Sequence, residues 1–175
     1  MACPVTLSGL ARDCAQVMGG IKTVYLANKA DVASITVSSN QITAITMEAS
    51  KYFHKYDFLK GAASLSSNWQ ISPENGTRYV QTDLVLVFAK METTKRVEVS
   101  ALAAGELCAI VEDNNGTFHF LGADNPLEIS AGDGLTGAAR GDRNAYSITL
   151  QDNSLDLPID VLVGAGGVDL STITA

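Results

Sequence analysis

The chain has 175 residues, of which 46% are hydrophobic and only 18% charged, a balance that suits a globular domain with a sizeable core and excludes a disordered segment. Twelve Lys and Arg against 19 Asp and Glu leave a net charge of −7. Without a basic stripe the chain is a poor binder of duplex DNA, because neutralised phosphates supply most non-specific affinity.

Elements follow one another in a β-rich order from residue 20 onward, with Val, Ile and Thr clusters separated by short glycine- and asparagine-containing turns. Residues 21–27 predict a first strand. Residues 35–37 and 42–47 predict two more, joined by a turn at Ser38-Ser39-Asn40-Gln41. Between Lys51 and Leu59, Tyr52, His54, Tyr56 and Phe58 alternate with Phe53, Lys55, Asp57 and Leu59, and neither set is purely polar. Such a strand suits burial on both faces, once by its own core and once by a neighbouring subunit.

Residues 62–72 and 78–89 predict a long β-hairpin with a polar, mobile tip around Pro73-Glu74-Asn75-Gly76. Residues 94–104 fit a strand or a helix by period. Ala101 to Ala104, the Glu92 and Arg96 spacing and a following Gly105 favour the helix. Asp113-Asn114-Asn115-Gly116 is a strong hairpin signal between strands 107–112 and 117–121. Residues 130–142 are rich in glycine and predict a surface loop, 146–150 predict a late strand, and 159–163 predict a strand closing a sheet edge. The whole chain, 1–175, is expected to form one domain, with 1–19 and 164–175 as terminal arms.

No residue set predicts catalysis, and no cofactor or metal is expected. His54 and His119 have no Gly-x-Ser-x-Gly nucleophile turn to serve. The Asp113 turn fails as a calcium loop because Val111 and Gly122 occupy ligand positions, and Gly164-Ala165-Gly166-Gly167 lacks the Lys-Ser/Thr of a phosphate loop. Cys3, Cys14 and Cys108 are odd in number and show no Cys-x-x-Cys spacing, so plain thiols are expected. Asn75-Gly76-Thr77 and Asn115-Gly116-Thr117 match the glycosylation sequon but are equally turn sequences. Trp69 near Tyr79 could offer a sugar platform, although an aromatic pair across a hairpin more often packs for stability. The amino terminus has no basic segment followed by an apolar one, and no run approaches the ~20 apolar residues of a membrane span. Assembly in a cytoplasm, with no membrane partner, is the expectation.

Four segments taken in order, Gly20 to Ala27, Tyr79 to Leu84, Cys108 to Gly122 and Tyr146 to Leu150, resemble structural proteins of phages and prophages of Bacteroidetes over nearly the whole chain. The predicted architecture, mainly β as a sandwich or barrel with one packed helix and a protruding hairpin, is similar to the tail-tube fold shared with contractile-injection and type VI secretion tubes. That resemblance implies a homo-oligomer, a hexameric ring stacking into a tube within the virion tail, through which DNA passes without tight binding beside other virion proteins. It carries over no catalytic residue. Another tail, baseplate or head-decoration protein, or a ligand-binding module, is the alternative.

On this view Tyr52, Phe53, Tyr56, Phe58, Pro73, Glu74, Asn75 and Gly76 are candidate oligomer contacts. The last 25 positions hold Asp152, Asp156, Asp160 and Asp169 and no cation, which makes Asp152, Asp156 and Asp160 candidates for a lumen that repels phosphate.

Overall fold

In the computed structural model, which describes residues 9–12 and 14–175, two β-sheets face each other as a sandwich. Cys3 and most of the predicted amino-terminal arm lie outside the described residues. The strands run in the order β1 (Ile21–Asn28), β2 (Val32–Ser38), β3 (Gln41–Met47), β4 (His54–Asp57), β5 (Ala63–Ser72) and β6 (Thr77–Ala89). Helix α1 (Thr93–Ala104) follows, then β7 (Leu107–Asp113), β8 (Phe118–Leu121), β9 (Glu128–Leu135), β10 (Ala145–Ser154), β11 (Ile159–Val161) and a short helix α2 (Leu170–Ile173).

Seven strands form one sheet in the order β2-β3-β11-β8-β7-β1-β4, and four form the other in the order β5-β6-β10-β9. The mainly β class, the helix and the long hairpin β5–β6 are all present as the sequence predicts.

Period-two patterning builds the layer between the sheets. Val24 and Leu26 of β1, Ala109 and Val111 of β7, Leu84 and Leu86 of β6, and Ile148 and Leu150 of β10 are buried together. Leu102 of α1 joins them, with Val99 packed against the cluster. Glu92, expected to pair with Arg96, instead meets Lys90 and Lys95 at 2.9 and 3.2 Å. Gly105 ends the helix in an extended conformation.

A second layer lies on the far face of the seven-stranded sheet, where Ala27, Cys108, Ile110 and Phe120 meet Ile42, Ile45, Phe53, Val161, Val168 and Ile173. β7 is therefore buried at every position from Leu107 to Glu112, the continuous apolar run expected of a strand covered twice.

Three sequence expectations are corrected here. Residues 130–142 are not wholly a loop, because β9 pairs antiparallel with β10, with Gly134 against the Tyr146 ring. Residues 159–161 do not close an edge: β11 is interior, parallel to β3 and antiparallel to β8. Residues 164–175 are not an arm, since the glycine run is a tight turn that returns the chain to the core. A Cβ on Gly167 would sit 2.0 Å from the Leu162 carbonyl oxygen, so only glycine fits. Beyond it the Val168 amide donates to that oxygen at 2.7 Å, and Val168 and Ile173 fill the second layer.

Candidate assembly surfaces

The four-stranded sheet has one face on the core and one face open. Register sets the open face: Ser66, Asp83, Gln151 and Glu128 lie side by side across the four strands. Asn68, Gln81 and Asn153 form the neighbouring row toward the hairpin end. Gln81 donates to both oxygens of Asp83 at 3.3 and 3.2 Å. The cross-strand row of Val87, Ser147 and Asp133 brings a third carboxylate to the same face. Arg78 is the only Lys or Arg within the four strands, and it faces the other way. The open face is thus a field of hydroxyls, amides and carboxylates without a cation, and the outer edges of β5 and β9 are unpaired among the described residues.

The far end of the hairpin β5–β6 overhangs the core. Pro73, Glu74, Asn75 and Gly76 are exposed there, as expected of a tip, with Asn75 donating to the Ser72 hydroxyl at 3.2 Å. Trp69 pairs with Val80 and Gln70 with Tyr79, so Trp69 and Tyr79 point to opposite faces and form no aromatic platform. The Arg78 guanidinium instead stacks 4.9 Å from the Trp69 ring centre. Trp69 and Ile71 remain 42% and 65% exposed, an apolar end on the inward side of the overhang.

The aromatic strand near residue 52 divides differently from the sequence expectation. Regular pairing is confined to His54–Asp57, against β1. Phe53 is a correction: it is 0% exposed and buried in the chain's own second layer, so it cannot contact another copy. Phe58 packs on Phe88 with ring centres 5.4 Å apart, and Tyr56 meets the same ring edge-on at 6.1 Å. The Tyr56 hydroxyl donates to Glu98 of α1, and burial, helped by that carboxylate, pushes its phenol above the ordinary value. Tyr52, 45% exposed, is the aromatic of this group left facing outward.

Asp152 is a second correction. At 4% exposure it lies inside the sandwich and cannot line a lumen. Asp156 is exposed, and Asp160 lies 2.9 Å from Nδ1 of His119 on the adjacent β8. The acids that do face outward on a continuous surface are Asp83, Glu128 and Asp133. Alternation along β6, Tyr79-Gln81-Asp83 against Val80-Thr82-Leu84, was the sequence signal for the first of these.

Cys108 is a buried thiol whose Sγ lies 3.6 Å from the Ala27 carbonyl oxygen, and burial pushes it up to about 12. Among the described residues no three His, Cys, Asp or Glu side chains gather closely enough to hold a metal ion, and no helix is long and apolar enough to cross a membrane. No protein-family model, curated protein or solved structure matches the chain.

Proposed function

We propose that this chain is a virion structural protein, the subunit of a phage tail tube, acting by assembly rather than by turnover. The observation that carries the proposal is the open face of the four-stranded sheet, polar and acidic with no Lys or Arg, bounded by two unpaired edges. A sheet of this kind suits the wall of a conduit for DNA. Its amides and hydroxyls hold water, its carboxylates oppose phosphate, and it offers no site for counterion release. Unpaired edges are normally protected in a protein that stays alone, and here they give neighbouring copies a way to continue the wall around a closed ring. The hairpin end, with Trp69 and Ile71 uncovered beside a polar tip, suits contact with the next ring, which keeps Pro73 to Gly76 as candidate contacts.

Negative-stain electron microscopy of the purified chain at rising concentration tests this directly. Hollow stacked rings are expected, and a monomer at every concentration and salt would overturn the proposal. In assembled tubes, E128K and D133K are expected to convert passage into salt-sensitive retention of DNA, each new phosphate contact adding about 0.9 to the slope of log K against log salt. Unchanged retention would remove the open sheet face from the lumen.

A further inference from the structure

Asp152 carries a charge that its surroundings leave half satisfied. It sits on the inward face of β10 beside Thr82, whose hydroxyl lies 2.8 Å from that of Ser67, so a polar row crosses the sandwich at this level. Oδ2 accepts a hydrogen bond from the Gly122 amide at 3.1 Å, whereas Oδ1 is buried with no partner. A lone buried carboxylate oxygen is expensive, and proteins rarely leave one unmatched. Lys29 is near enough to favour the ionised form, yet its ammonium donates to the carbonyl oxygens of Gly122 and Ala123. Asp124 acts in the opposite sense and, with burial, holds the Asp152 carboxyl above its ordinary value. The loop cannot easily shift to relieve this. Gly122 has φ +83°, and a Cβ there would stand 3.0 Å from the Leu107 carbonyl oxygen.

Asp124, Asp152 and Asp156 border a cavity of about 40 Å³, with Ser154 alongside and Phe120 and Leu157 among its apolar walls. That is room for one ion or one water. We propose that this cavity binds a hard divalent cation, calcium, through Asp152 and Asp124, with main-chain oxygens and water completing the shell. The donors are all oxygen, with no imidazole or thiolate among the lining residues, which selects calcium or magnesium over zinc. A bound proton would neutralise Asp152 but leave its new O–H seeking an acceptor beside Asp124, whereas a cation satisfies both carboxylates at once. With two carboxylates rather than three or four, affinity falls in the weak range of about 10⁻⁴–10⁻³ M. The inference is independent of tube assembly.

The full chain, stripped with EDTA and dialysed, is titrated with calcium chloride by calorimetry and melted with and without it, using magnesium chloride and matched sodium chloride as comparisons. Saturable heat in that range is expected, with a rise in Tm of roughly 3–10 °C at about 10 mM calcium. D124N is expected to abolish both while leaving the circular dichroism spectrum unchanged, so the test survives even if D152N fails to fold. Absence of saturable heat up to about 10 mM would overturn the proposal, as would heat that persists in D124N. So would a D152N protein stabilised in EDTA alongside a wild type that ignores calcium, which would assign the cavity to a proton or a water.

Discussion

The two sheets of the sandwich use the same strand chemistry to opposite ends. The seven-stranded sheet is covered on both faces by its own chain, with the four-stranded sheet on one side and Phe53, Val168 and Ile173 among the residues on the other. The four-stranded sheet is covered once. β7 accordingly runs Leu-Cys-Ala-Ile-Val-Glu with every position buried, while β6 alternates between Val80, Thr82, Leu84 and Leu86 inside and Gln81, Asp83, Val85 and Val87 outside. A sheet already covered twice has little face left for another copy. Whatever this protein joins, it does so through the second sheet, its edges and the hairpin end.

The sharpest way to break that contrast is to empty the second layer. F53A should lower unfolding free energy by about 3–5 kcal/mol in a denaturant titration, against no more than about 0.5 for Q81A on the open face. A loss below ~1 kcal/mol for F53A would mean that the far side of the seven-stranded sheet is not a core.

A smaller effect contrasts two aspartates, one from each sheet. Asp113 ends β7, where its Oδ1 accepts from the Asn115 and Thr117 amides at 2.9 and 2.7 Å. Burial works against its ionisation, but hydrogen bonds from Asn115 and Thr117 outweigh it and hold the carboxyl below 3.8. D113A should cost about 1–2 kcal/mol at neutral pH. Because the folded value is depressed, that contribution is complete above the unfolded value and is lost as pH falls through the folded one.

Asp152, in the four-stranded sheet, has the opposite sign. Burial raises its folded value above 3.8, so the penalty is absent at low pH, grows as pH rises through the carboxylate range, and is complete above the folded value. In chelator, D152N should therefore be more stable than wild type at pH 7 by about 1 kcal/mol, with the gap closing on acidification. Melts from pH 3 to pH 7 check both aspartates, and a gap for D152N that widened in acid would refute the burial account. The smallest expected effect is at the edge of the seven-stranded sheet, where Ser39 and Asn40 both have positive φ, 52° and 61°, between the paired Ser38 and Gln41. Replacing them by Asn-Gly should add about 0.5 kcal/mol to denaturant stability, since that dipeptide suits a two-residue turn of this hand.

Much of the fold is legible where local chemistry decides it. Asp113 to Gly116, the β5–β6 hairpin and the Ala-rich helix all follow from turn residues, alternation and propensity. What stays hidden depends on neighbours distant in sequence. Phe53 sits in a stretch apolar on both faces, so nothing local says which face meets the chain's own core. A three-residue strand such as Ile159–Val161 shows its period but not how many strands flank it. Gly164 to Gly167 reads as slack by composition, because the close approach to the Leu162 oxygen that demands glycine is tertiary. Asp152 is different, since its inward position follows from parity: it is two residues past Leu150 and four past Ile148, both buried. Charge outweighs phase in a sequence-based placement, and here phase prevails.

The position of β11 has a consequence for how the chain comes together in time. The hairpin β2–β3 touches the rest of its sheet only across that strand, through Gln41 and Ile42 opposite Asp160 and Val161. During synthesis, residues 32–47 leave the ribosome long before their bridging partner exists, so Ile42 and Ile45 stay uncovered until residues 159–161, and then Val168 and Ile173, have followed. Closing so long a loop for so small a seam makes this corner the slow step of folding and the one most open to a chaperone or to aggregation.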